Sequence, residues 1–121
     1  MSETSEHIFS DAERALQLLC GKWTLSIIAE LINGPIRVGE LRRRLGRVSK
    51  KILFERLDKL EQSGLVIRTD RSDKNLKRVE YELQGESADE VVSVLRSLNK
   101  WSQEHLTSSA HTSPPTTQEG I

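Results

Sequence analysis

Residues 45–68 read LGRVSKKILFERLDKLEQSGLVIR. Gly46-Arg47-Val48 has the length and composition of a tight turn, and Ser49 stands where its hydroxyl can accept an amide proton from the first turn of a helix. Leu53, Leu57 and Leu60 then recur at helical spacing until Gly64 ends the pattern. Just before the turn, Val38, Leu41 and Leu45 mark the apolar stripe of a short helix over about 37–45, which leaves Arg42, Arg43 and Arg44 largely outward. Two helices joined by a tight glycine-containing turn make a helix-turn-helix.

Beyond Gly64 the period changes from helical to two. LVIRTD (65–70) and KRVEYEL (77–83) flank the polar tip Arg71-Ser72-Asp73-Lys74-Asn75, and Val79, Tyr81 and Leu83 alternate with Arg78, Glu80 and Glu82. This predicts an antiparallel hairpin over about 65–83 with a flexible basic tip. Ser87-Ala88-Asp89-Glu90 reads as a capping box opening a final helix to about 106, striped by Val91, Val94, Leu95, Leu98 and Trp101. Toward the N-terminus, Ser10 and Glu13 read as another capping box, and Ala12, Ala15, Leu16 and Leu19 carry a first helix to about Cys20. KWTLSIIAELI (22–32) is apolar nearly all round, as a helix at the domain centre would be, and Asn33-Gly34-Pro35 stops it. Helices, a helix-turn-helix and then a hairpin give the expected fold: mainly α with a small antiparallel β-hairpin, a winged helix over 10–106. Residues 1–9 are expected to be a flexible N-terminus, and 107–121 (TSSAHTSPPTTQEGI), without periodicity, a disordered tail.

Composition narrows the function. The 121 residues are 36% hydrophobic and only 4% aromatic, which suits one compact aliphatic core. Cys20 is the single cysteine, so neither an internal disulfide nor a thiolate metal cluster can form. The three histidines, His7, His105 and His111, lie near the ends and show no ligand spacing. No metal, no cofactor and no catalytic activity are therefore expected. No apolar run approaches the ~18 residues of a membrane span, and the acidic start MSETSEHIFSDAE lacks the features of a signal peptide, so a cytoplasmic protein without membrane partners is expected.

The formal net charge of zero conceals a partition. Residues 1–35 hold two basic and five acidic groups, 36–79 hold fourteen basic and six acidic, and 80–121 hold two basic and seven acidic, for nets of −3, +8 and −5. A basic middle third in a neutral chain points one face at a polyanion. With Leu53 at the centre of the buried face and about 100° per residue, Lys51, Phe54, Glu55 and Asp58 point outward and Lys50 sits at the border. On a reading helix over about 49–62, Lys50, Lys51, Phe54 and Glu55 are the candidates for base contact: lysine to guanine, glutamate to cytosine N4, phenylalanine to a thymine methyl. The alternatives for Phe54 are a partner-protein contact or a place under the hairpin. Arg42, Arg43, Arg44, Arg47, Ser49 and Arg56 are assigned to phosphates, with a plain N-cap the alternative for Ser49. Arg71, Lys74, Lys77 and Arg78 on the wing would follow phosphates or enter the minor groove.

The residues that carry these assignments resemble a known family. Gly21-Lys22-Trp23 opening an apolar helix, GPIRVGELRRRL (34–45), VSKKILFERLDKLEQSGLVIR (48–68), the Val79-Glu80-Tyr81 strand and the terminal Trp101 are similar to the HxlR-type winged-helix transcriptional regulators of bacteria, over about residues 10–105. The resemblance implies a dimeric DNA-binding regulator, joined through its first and last helices, with no catalytic function. Departures from it are Val38 where an aromatic is usual, Phe54 where a small polar residue is usual, a hairpin tip without proline, and QGES (84–87) where Thr-x-x-Gly is usual. Redox-sensing members carry a cysteine where Ser10 stands here, and Cys20, at the end of an apolar helix, reads as a small buried residue rather than a sensor.

Sequence-specific binding of double-stranded DNA by a homodimer, at an inverted repeat, is the expected function. Leu16, Leu19, Leu95, Leu98 and Trp101 are the expected dimer residues; the alternative for Trp101 is that it covers the monomer's own core. Two competing readings are a winged helix that binds only protein, and a regulator whose DNA affinity is set by a small-molecule effector near the dimer seam.

Overall fold

The computed structural model describes residues 7–106, so the expected tail, His111 and most of the expected flexible N-terminus lie outside the described residues. The chain divides into two units, one ending at Gly85 and one starting at Glu86. The first holds α1 (Ser10–Leu19), α2 (Thr24–Leu31), β1 (Ile36–Arg37), α3 (Val38–Leu45), α4 (Lys50–Gln62), β2 (Val66–Asp70) and β3 (Val79–Leu83); the second is built on α5 (Gly85–His105).

The core of the first unit is aliphatic. Ile27 and Leu31 of α2, Leu41 of α3, and Leu53, Leu57 and Leu60 of α4 are almost completely buried, with Val48 from the turn and Leu65 and Val66 after it. The leucine stripe read from the sequence is thus the buried face of α4. Ser49 caps this helix as expected, its hydroxyl accepting from the Ile52 amide at 3.1 Å. The far end closes with Leu65 N–H donating to the Leu60 carbonyl around a left-handed Gly64 at φ 86°, a conformation that glycine adopts without a Cβ penalty.

The hairpin forms with Val66 opposite Leu83 and Asp70 opposite Val79. A third strand was not legible: β1 pairs antiparallel with β3, Ile36 opposite Tyr81, giving the order β1-β3-β2. Two residues cannot display an alternation of period two, so the sequence assigned Arg37 to the next helix. Tyr81, buried at the centre of β3, has its phenol pushed up in pKa by desolvation, with Arg68 opposing.

Four local readings are corrected. Ser10 is the first residue of α1 rather than its cap, and no side chain among the described residues caps that helix: Glu13 pairs instead with His7 Nε2 at 3.1 Å. Because His7 Nδ1 accepts from the Phe9 amide, the neutral ring carries its proton on Nε2 and donates to Glu13. Ser87 is likewise interior, since α5 begins at Gly85. Trp23 is not a helical residue; it precedes α2 in the left-handed conformation, φ 80°. α2 itself is buried on one face only, with Leu25 exposed, as is Ile32 just after its last residue. An eight-residue helix packed from one side cannot hide every apolar position that its sequence offers.

Candidate nucleic-acid interface

The turn between α3 and α4 is compact because two groups hold it. Gly46 takes φ 82°, and its N–H donates to the Arg42 carbonyl. Arg42 then reaches forward, Nε 3.4 Å from the carbonyl oxygen of buried Val48. This fixes where the N-terminal half of α4 emerges. On that half Lys50, Lys51, Phe54 and Glu55 are all exposed, as the helical projection requires, and Arg47 and Ser49 are exposed just before it. Among the described residues, Arg47, Lys50 and Lys51 make no side-chain hydrogen bond or ion pair.

The arginines of α3 differ. Glu40 lies one turn behind them and takes both Arg43 and Arg44, the latter through Nε at 2.9 Å; Arg44 also reaches Glu30 of α2 at 3.4 Å. The hydrogen bond from Arg44, then that from Arg43, holds the Glu40 carboxyl below its ordinary value, and Glu40, then Glu30, raises Arg44. Charge counting alone could not see this compensation, although Glu40 sits three and four residues before its partners, a spacing at which helical side chains meet.

Phe54 is 42% exposed. It lines a groove of about 350 Å³ with Val38, Gly39, Arg42, Arg43, Gly46, Lys50 and Leu53. Every lining residue comes from α3, the turn or α4, so this groove lies outside the hairpin. The two helix positions that depart from the family resemblance, Val38 and Phe54, share this one groove.

On the wing, the tip is a set of side-chain-built turns. Asp73 accepts from the Asn75 and Leu76 amides, and Ser72 Oγ from the Arg78 amide. Arg71 pairs with Glu80 at 3.1 Å, and Arg78 is half-buried, whereas Lys74 and Lys77 are exposed. Arg56, grouped with the phosphate residues from sequence, is half-buried and donates from Nε to the Lys22 carbonyl at 2.9 Å.

Of the expected dimer residues, Leu16, Leu98 and Trp101 are exposed, Leu95 is half-buried, and Leu19 is buried. Trp101 stacks obliquely on His105 within α5, centroids 5.6 Å apart. Cys20 is exposed, against the expectation of a buried thiol, because it caps α1 after the packed Leu19. The described residues contain no group of three or more potential metal ligands, and no helix among them is long and apolar enough to cross a membrane.

The sequence and the fold are similar to those of known proteins. The HxlR-like helix-turn-helix family matches residues 18–110. The chain belongs to the HxlR family. Its relatives include the uncharacterized HTH-type transcriptional regulators YvaP and YtcD of Bacillus subtilis. YvaP is 31% identical over 94 residues, covering 78% of this chain and 85% of YvaP. YtcD is 32% identical over 94 residues, covering 78% and 73%. A crystal structure of a MarR-family transcriptional regulator from Enterococcus faecalis V583 superposes with a TM-score of 0.77 at 32% identity, over 87% of this chain and 94% of that one. The reduced form of the regulator YodB from B. subtilis gives a TM-score of 0.76 at 28% identity, over 85% and 99%. The fold is that of winged-helix transcriptional regulators, and so is the family.

Proposed function

We propose that this HxlR-family chain is a sequence-specific double-stranded DNA-binding regulator acting as a homodimer, with α4 in the major groove and the β2–β3 wing on the backbone or in the minor groove. The observation that carries the reading is the exposed start of α4. Lys50, Lys51, Phe54 and Glu55 present two cations, an apolar ring and a carboxylate from one helix, and Arg47 stands beside them without an ion-pair partner among the described residues. Such a set can read base edges, because each chemical type has a matching group in the major groove. Arg47, Arg43, Lys74 and Lys77 supply phosphate contacts that position the helix.

Dimerisation supplies the second reading helix that a short operator half-site demands. Leu16 on α1 and Val94, Leu98 and Trp101 on α5 are exposed apolar residues available to a seam. The test is an electrophoretic shift with the DNA upstream of the chain's own gene at two salt concentrations. Retention that outlasts a random duplex, and weakens as salt rises, is expected. No shift at either salt would leave the protein-binding winged helix as the better account.

A further inference from the structure

Gly21 and Thr24 close a four-residue turn between α1 and α2, Thr24 N–H donating to the Gly21 carbonyl at 3.1 Å. Its third residue, Trp23, has φ 80° and ψ −19°, and Trp23 is the one non-glycine residue with positive φ among those described. With Lys22 at negative φ, these angles are those of a type II turn, whose third position ordinarily requires glycine or asparagine. A type I turn differs by a flip of the central Lys22–Trp23 peptide and would suit tryptophan better. The flip would also turn the Lys22 carbonyl away from its present direction, where it accepts from Arg56 Nε of α4 at 2.9 Å. The Lys22 ammonium lies over the Trp23 ring, 5.5 Å from its centroid, so the ring and chain of the turn are themselves in contact.

We infer that Arg56 is a positioning residue: its hydrogen bond to the Lys22 carbonyl holds this peptide in the costly type II form and ties the α1–α2 joint to the reading helix. Two further observations fit. Arg56 is half-buried on the flank of α4, away from outward-facing Lys51 and Glu55. Gly21 is packed against the strut, since a Cβ there would meet Arg56 Nε and Thr24 Oγ1 each at 3.2 Å. The joint connects a helix proposed for the dimer seam to the helix proposed to read DNA. On this inference, the turn that the joint adopts is felt at the flank of α4 through Arg56.

The inference rests on the DNA-reading role proposed for α4, so it is tested both with and without DNA. Without DNA, NMR of the full chain separates the two turns: type II gives a strong Lys22 Hα to Trp23 amide contact, type I a strong amide–amide contact between the same residues. Arg56→Met and Gly21→Ala should each move the pattern toward type I, and Trp23→Gly in the Arg56→Met background should restore type II, because glycine adopts positive φ freely. With DNA, Arg56→Met should lower the ratio of operator to random-duplex affinity by about tenfold, the scale of one lost charge-assisted hydrogen bond. Its salt slope should match the wild type, and Trp23→Gly should recover the ratio. An unchanged NMR pattern in Arg56→Met overturns the strut. So does a salt slope reduced by about 0.9 with equal loss on both duplexes, the signature of a phosphate contact. Failure of the wild type to bind any duplex would refute the function proposed above, and the NMR comparison would still decide the strut.

Discussion

Glu40 Oε2 accepts from Arg44 Nε across 2.9 Å, one turn apart on α3, inside the segment that carries most of the chain's excess positive charge. The carboxylate is held below its ordinary pKa of 4.5 by Arg44 first and Arg43 second. A depressed carboxylate contributes stability above its unfolded pKa, and loses it as pH falls through the folded value. The wild type should therefore lose more stability than Glu40→Gln on acidification below about pH 4.5, measured by thermal unfolding across that range. Asp70, lowered by the Ser72 hydroxyl and amide, leaves a residual acid dependence in both proteins.

The same pair grades the basic residues. Arg44 divides its guanidinium between Glu40 and Glu30, while Arg47 has no ion-pair partner among the described residues. Replacing Arg47 by Ala should reduce the log–log salt slope of duplex binding by about 0.9, and replacing Arg44 by less. If six phosphates are neutralised, the wild-type slope should lie near about −5. A wild-type slope flatter than about −1.5, or equal slope changes for the two variants, would remove the assignment.

Base reading is separable from phosphate binding. Lys51→Ala and Glu55→Ala should each relax preference at one or two base pairs, by about 1–3 kcal/mol at the contacted position. Phe54 permits a sharper comparison, because uracil lacks only the methyl group of thymine. Uracil substitution at the position Phe54 touches should cost about 0.8 kcal/mol with wild type, the value of one buried methylene-sized group, and nothing with Phe54→Ala. Selected-site preferences unchanged across all three variants would show that α4 is not the reader.

The legibility of the fold in the sequence followed the length of its signals. Leu53, Leu57 and Leu60 repeat over about two turns, and their burial followed; so did the Ser49 cap and the Gly64 stop, whose chemistry is local. β1 was invisible because Ile36 and Arg37 become a strand only through pairing with Tyr81 and Glu80, some forty-five residues away in sequence (36 to 81). Ser10 and Ser87 match a capping pattern in composition, yet each lies within its helix. At the interface, exposure of Lys51, Phe54 and Glu55 followed from helical geometry alone. The tether of Arg56 did not, since its acceptor is a carbonyl that no side-chain pattern announces.

Thr24 illustrates a cost that no pattern shows. Its side chain is buried, and Oγ1 has no hydrogen-bond partner among the described residues. A buried unpaired hydroxyl is destabilising, and replacing it by an apolar group of the same shape removes that cost. Thr24→Val should raise the stability by about 1 kcal/mol in denaturant titration. A decrease of similar size would mean that the hydroxyl is satisfied in solution.

Assembly is the remaining expectation. α5 runs 21 residues and leaves Val94, Leu98 and Trp101 exposed, the last two at 51% and 50%. Single exposed apolar residues are ordinary, but these three fall at helical spacing on one element, and together they form a stripe rather than a scatter. Leu16 on α1 adds a fourth exposed position. A homodimer covering them would bring two reading helices to one duplex and would select an inverted repeat with half-sites about one helical turn apart. Leu98→Glu places a charge in the proposed seam while changing a residue that is already exposed, so the fold should survive. Light scattering at micromolar concentration should give twice the 13.7 kDa chain mass for the wild type and the chain mass for Leu98→Glu. The variant should also lose its preference for the inverted repeat while keeping salt-dependent binding to any duplex. A wild type that scatters as a single chain, and titrates as one monomer per duplex, would exclude the α1–α5 seam.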